Sequence, residues 1–173
     1  MTEADEPVDR VDARDRFLAV VGRGEAVRRG WLHRVSVTVC RDREGRFLVH
    51  RRSERVARYP GHHEVGFGGA VAAGETYREA AARELVEELG VRPVIRPVVT
   101  FLNRTGLSPH WMAVHEAVLA ESPRPSGDEV AWHGWSTKDE LLCFLGAGLF
   151  TPDSPEVLRR YLAAENRETG WIT

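Results

Sequence analysis

Residues 69–91 read GAVAAGETYREAAARELVEELGV, and this stretch decides the fold. Its second part is a helix with both ends marked. Thr76 followed three residues later by Glu79 is a capping box, and Gly90 directly after Leu89 is a stop. Leu85 and Leu89 share one arc of that helix and would face a core. Glu84, Glu87 and Glu88 stand at i, i+3 and i+4, so they share an adjacent arc of roughly 100°. Like charges at this spacing repel, at a cost of a few tenths of a kcal/mol per pair. A hard divalent cation would neutralise the cluster, and a set of oxygen ligands alone suits Mg²⁺ or Mn²⁺. Arg83, one residue earlier, can orient one of the carboxylates. Upstream, Gly68-Gly69 lets the backbone come close to such an ion, and a glycine carbonyl can serve as an oxygen ligand. Glu75 lies just before the helix. A loop, a carboxylate and a carboxylate-lined helix therefore converge on one point, which suits a metal-bridged diphosphate. Three glutamates alone could equally be a solvated helix face. The full spacing decides between the two.

That spacing is Gly69, five residues, Glu75, seven residues, then Arg83-Glu84-Leu85-x-Glu87-Glu88-x-Gly90-Val91. It resembles the Nudix box, G-x5-E-x7-R-E-U-x-E-E-x-G-U with U a bulky aliphatic residue, at every position. The resemblance implies an α/β fold, an α/β/α sandwich with a mixed β-sheet, in which the box forms a loop–helix–loop. It implies hydrolysis of a nucleoside diphosphate linked to a further group X, or of a related organic diphosphate. In such proteins the residues matching Glu84, Glu87 and Glu88 hold Mg²⁺ or Mn²⁺, often joined by the carbonyl matching Gly69, while the one matching Arg83 orients a glutamate. The general base differs between members. Here the candidates are Glu88 in the box, and Asp128 or Glu129 in a later loop. The resemblance is also compatible with a homodimer.

Outside the box, VDARDRFLAVVGRGEAVRRGWLHR, LVHRRS and YPG resemble the Nudix branch that includes isopentenyl-diphosphate isomerase. The isomerase needs Cys-Gly-His just upstream of the first box glutamate, and this chain has Gly68-Gly69-Ala70 there. His33 matches a metal-ligand histidine of the isomerase, yet neither Cys40 nor Cys143 is placed to replace the missing cysteine. The hydrolase is therefore the reading adopted. A non-catalytic Nudix domain that senses a nucleotide or metabolite is the alternative, which loss of box glutamates would favour, and none is lost.

The remaining sequence predicts a polar tail over residues 1–7 and a single domain over 8–173, within a chain of 173 residues. A hairpin is expected over 8–22 around an Asp-Ala-Arg-Asp turn, then a short helix over Glu25–Trp31, ended by Gly30 or soon after it. Strands are expected over 34–40, 46–50, 64–71, 94–102, 111–120 and 129–135, from their alternation and β-branched content. Helices follow near 138–145 and 155–165. Segments 103–110 and 122–129 are expected to line the pocket. Arg51 and Arg52, at the end of a strand, are candidate substrate-phosphate contacts. Trp132 and Trp135 fit packing better than base stacking, and the spacing of His62-His63-Glu64 fits no zinc site.

Composition narrows the classes. Of the 24 basic residues only Lys138 is lysine, and the net charge of -2 gives no general field for nucleic acid. No apolar run reaches the roughly eighteen residues of a membrane helix, and the acidic start lacks the apolar core of a secretory signal. A cytoplasmic protein with a small-molecule diphosphate substrate is expected. P-loop, dinucleotide-binding and nucleophile-elbow motifs are absent, which sets aside those enzyme classes.

Overall fold

A computed structural model of the chain describes residues 6–125 and 127–169. The expected tail falls largely outside them, and the first strand already begins at Pro7.

The chain opens with a hairpin, β1 (Pro7–Val11) and β2 (Phe17–Gly22), followed by α1 (Arg23–Arg29). Gly30, with φ of 64°, ends that helix in the left-handed conformation, and the helix starts two residues earlier than expected, at Arg23. The main sheet is built from β3 (Arg34–Arg41), β4 (Phe47–Arg52), β5 (His63–Glu64), β6 (Phe67–Ala70), β7 (Ile95–Asn103), β8 (His110–Val118) and β9 (Val130–Ser136). Its path runs β5-β4-β3-β8-β7, with β6 added against β3 and β9 against β4. The pairing β3–β8 is parallel and β7–β8 antiparallel, so the sheet is mixed as expected. Three helices complete the chain in order: α2 (Tyr77–Leu89) between β6 and β7, then α3 (Lys138–Ala147) and α4 (Ser154–Thr169).

Alternation along the strands sends side chains to two cores. On one face Val39, Phe47, Val49, Met112 and Val114 pack with Leu141 of α3 and Val157, Leu158 and Tyr161 of α4. On the other, Cys40, Leu48, Phe67 and Ala117 pack with Ala81, Leu85 and Leu89 of α2. This is the three-layer α/β/α arrangement the box implies. The hairpin is attached to this body by Arg34, whose Nε donates to Asp15 at 2.7 Å and Nη1 to Asp9 at 3.2 Å.

The sequence suggested one strand over 64–71, and the structure has two. They part at Val65-Gly66, where a Cβ on Gly66 would run into the side chain of Val37. The break has a consequence for shape. Strand β3 pairs with β4 only at Arg41↔Phe47, then takes β6 as its neighbour over Val35–Thr38. The sheet forks between β4 and β6, and a cleft opens in the fork.

Candidate active site

The cleft has a volume of about 500 Å³ and is floored by Val35 and Val37 of β3. From one side come Gly68 and Gly69 of β6 with Arg83, Glu84, Glu87 and Glu88 of α2, and Glu129 joins from the loop before β9. Helix α2 is held as its sequence specifies: Thr76 Oγ1 accepts from Glu79 N at 3.2 Å, the Glu79 carboxylate accepts from Thr76 N at 2.8 Å, and Gly90 closes the far end. Leu85 and Leu89 bury fully on one arc, which turns the adjacent glutamate arc toward the cleft.

The three glutamates differ sharply in environment. Glu88 is 6% exposed and accepts the Gly68 N–H at 2.9 Å. Burial, reinforced by the charges of Glu84, Glu64 and Glu129, pushes its carboxyl well above the ordinary range. Glu84 is pushed up to about 7, chiefly by burial, with Arg83 opposing. Glu87 stands half exposed at the rim. Arg83 is the hub of this wall. Its guanidinium donates to both Glu75 oxygens at 3.0 Å, to Glu84 at 2.8 Å, to Glu87 at 3.3 Å and to the Ala70 carbonyl at 3.1 Å. Sequence reasoning gave Arg83 one carboxylate to orient, and the structure gives it three. Glu75 serves as the anchor of Arg83 and takes the Ala72 N–H at 3.0 Å.

Both glycines of β6 are required by close approach. A Cβ on Gly68 would run into the Ser36 carbonyl oxygen across the β3–β6 pairing, and one on Gly69 would stand 2.5 Å from Glu84 Oε1. The Gly69 backbone thus lies against the Glu84 carboxylate. The chemistry of this donor set, buried carboxylates that raise one another plus a backbone carbonyl, fits a hard divalent cation. Among the described residues no three acidic, histidine or cysteine side chains are gathered into a ligand cluster as they stand. Arg83 takes the place of a counter-charge for Glu84 and Glu87.

Other expectations sort themselves by strand parity. Arg52 lines the cleft, where it donates to Glu64 at 2.9 Å and to the Arg58 carbonyl at 2.9 Å. Arg51 does not reach the cleft, because consecutive residues of β4 point to opposite faces. It lies 3.8 Å from Glu54 at the surface. Of the two loop carboxylates, Glu129 reaches the cleft, whereas Asp128 is exposed and pairs with Arg55 at 3.4 Å. From segment 103–110, Leu107, Ser108 and His110 line the cleft.

Several lining residues were not found by sequence reasoning. His50 is buried on β4 with its Nε2 at 3.2 Å from Glu64, and its ring stacks on Phe67 at 4.2 Å between centroids. His62-His63-Glu64 was read as a unit, yet only Glu64 enters the cleft. The period of two along β4 and β5 was the available signal. His33 also lines the cleft, and burial holds its imidazole neutral by pulling it down to about 4. Neither cysteine lines it: Cys40 is fully buried in the α2-facing core, with its thiol pushed up by burial, and Cys143 is exposed on α3.

A family model described as the NUDIX domain matches residues 31–161. The chain belongs to the Nudix family. An uncharacterized Nudix hydrolase of Streptomyces coelicolor is 40% identical over 166 residues, which is 94% of this chain and 92% of that one. An isopentenyl-diphosphate Delta-isomerase of Nocardia farcinica is 34% identical over 173 residues, 95% of this chain and 99% of its own. The crystal structure of a Deinococcus radiodurans protein matches with a TM-score of 0.81 at 32% identity, covering 90% of this chain and 99% of that one. Both parts of the resemblance seen in the sequence are present: Nudix hydrolases, and relatives named as the isomerase. The Nudix hydrolase relatives make this chain an enzyme acting on phosphoanhydride bonds.

Proposed function

We propose that this Nudix enzyme hydrolyses a nucleoside diphosphate linked to a further group, or a related organic diphosphate, with Mg²⁺ or Mn²⁺ as cofactor. The observation that carries the reading is the pair Glu84 and Glu88: two buried carboxylates of one helix, both held above their ordinary range, on the wall of the cleft. With Glu87 and the Gly69 carbonyl they are the ligands assigned to the metal. A bound divalent ion neutralises diphosphate charge and makes water more acidic. The chain's own residues do the rest. Arg83 fixes Glu84 and Glu87 through three-way hydrogen bonding, and Glu75 fixes Arg83. Glu88 is steadied by the Gly68 N–H, and Glu129, which lines the same cleft, is a carboxylate able to take a proton from water. Arg52 supplies a cation at the cleft for a phosphate oxygen.

The isomerase reading has named relatives in its favour. Against it stands Gly68-Gly69-Ala70, where a cysteine and a histidine would be needed, in a cleft that no cysteine of the chain lines. A panel of nucleoside di- and triphosphates, nucleotide sugars, dinucleotides and isoprenoid diphosphates, assayed by coupled phosphate release, tests the proposal. Release that needs Mg²⁺ or Mn²⁺, stops with EDTA and is lost in Glu88→Gln is expected. Silence across the panel, with ligand-induced melting shifts retained, points to the sensor alternative.

A further inference from the structure

The box supplies one wall of the cleft. The opposite face of the sheet supplies another, built around Asp153 at the start of α4. The Asp153 carbonyl accepts the Val157 N–H at 2.9 Å, which places this residue at the helix cap. An aspartate there normally turns its side chain onto the first-turn N–H groups. This one does not. Its Oδ1 instead accepts from Asn103 Nδ2 at 2.8 Å and from Thr105 Oγ1 at 2.5 Å.

Asn103 is itself fixed. It is 1% exposed, its Oδ1 takes the Thr105 N–H at 3.3 Å, and its Nδ2 also reaches His110 Nε2 at 3.2 Å. His110 Nδ1 lies 2.9 Å from the Ser108 carbonyl, which makes Nδ1 the donor and Nε2 the acceptor. The Asn103 amide therefore donates one N–H to His110 and the other to Asp153, and the His110 acceptor fixes which way that amide faces. Gly106 lets the loop pass beneath the carboxylate, since a Cβ there would stand 2.9 Å and 3.1 Å from its two oxygens. Among the described residues no donor reaches Asp153 Oδ2.

An oriented carboxylate of this kind accepts hydrogen bonds and repels phosphate, so it suits a hydroxyl-bearing part of the ligand. Its cleft neighbours Tyr59, Leu107, Met112 and Val157 offer apolar and aromatic surface of the kind that flanks a ring. We propose that Asp153 determines specificity for the sugar of the substrate: Oδ2 accepts from the vicinal hydroxyls of a ribose whose diphosphate lies against the box glutamates. The proposal rests on the reading of this cleft as a diphosphate-hydrolase site and adds which part of the ligand lies on the α4 side.

The test uses the full chain, wild type, Asp153→Asn and Asp153→Ala. Asparagine keeps an oxygen for Asn103 and Thr105 and replaces the outward oxygen with a donor. KM and kcat are measured with the four common ribonucleoside 5′-diphosphates and their 2′,3′-dideoxy counterparts. Binding of the matching monophosphates is measured by calorimetry in EDTA, which needs no turnover. The wild type should favour at least one ribonucleotide over its dideoxy form by about tenfold or more, in KM and in Kd. Both variants should lose most of that preference, and Asp153→Asn should keep its melting temperature. A wild type without the preference, or variants that retain it, overturns the proposal. A lowered melting temperature with the preference intact makes Asp153 a staple between α4 and the β7–β8 loop and likewise overturns it. Ribose-selective binding in EDTA without hydrolysis of any diphosphate supports the sugar assignment while refuting the hydrolase reading.

Discussion

Replacing Glu84 by glutamine should make the metal-free protein more stable, by an amount set by pH. The Glu84 carboxyl moves from 4.5 to about 7 on folding, chiefly through burial. A raised carboxyl pKa means that folding takes up a proton, so this group's penalty on the folded state is absent below the unfolded value and complete above the folded one. At about 1.4 kcal/mol per tenfold change, the penalty reaches about 3 kcal/mol at pH 8 and falls below about 1 kcal/mol at pH 5. Glutamine carries no charge and has no such dependence. Urea unfolding in EDTA should therefore show Glu84→Gln ahead of wild type by about 3 kcal/mol at pH 8, a midpoint shift of about 1–2 M. At pH 5 the two curves should nearly coincide. Mg²⁺ at a hundred times its Kd should nearly cancel the difference at pH 8, because it adds about 2.7 kcal/mol to the protein that binds it, and at a thousand times its Kd the added energy of about 4.1 kcal/mol should put wild type ahead. Equal midpoints at pH 8 in EDTA, or a variant weaker than wild type there, would refute the argument that burial without a sufficient counter-charge holds this carboxylate above its usual range.

Three other outcomes are expected. Glu88→Gln should cut turnover by two orders of magnitude or more while circular dichroism and the unfolding cooperativity persist, since the Gly68 N–H still finds an oxygen. Gly68→Ala drives a methyl into the Ser36 carbonyl oxygen, so the β3–β6 pairing must shift, and thermal melting should report a loss of about 2 kcal/mol or more. Leu85→Ala empties a fully buried position between α2 and the sheet, and denaturant unfolding should record a cost of about 2–5 kcal/mol.

Much of this architecture could be read along the chain because the signals are local. The caps of α2 lie within the residues they cap, and the alternation of Arg34–Arg41 follows from one strand's own sequence. Where sequence reasoning failed, the missing information belonged to another segment. The break between β5 and β6 is imposed by Val37, a neighbour across the sheet from Gly66. The glutamate arc was visible, but not that Glu88 would be buried while Glu87 stays at the rim, because the depth of each depends on where β6 lies. Arg51 and Arg52 are adjacent in sequence and only strand parity separates them. Asp153 reads as an ordinary helix cap in Thr-Pro-Asp-Ser-Pro. Its real partners, Asn103 and Thr105, are about fifty residues away, and no local pattern announces them.

The N-terminal hairpin and α1 lie ahead of residue 31, where the match to the family begins, yet Glu6, Arg23 and Val27 form part of the cleft's border. The segment that the family model covers is thus shorter than the segment that builds the cleft, although the Streptomyces coelicolor relative aligns over 94% of the chain. The matched segment holds every box residue, while part of the border belongs to the N-terminal hairpin and α1, fastened through Arg34 to Asp9 and Asp15. A fragment cut to the matched segment would retain every box residue and lose that edge of the binding surface. Substitutions at Glu6, Arg23 or Val27 would reshape that edge of the cleft while leaving the glutamate wall on α2 in place.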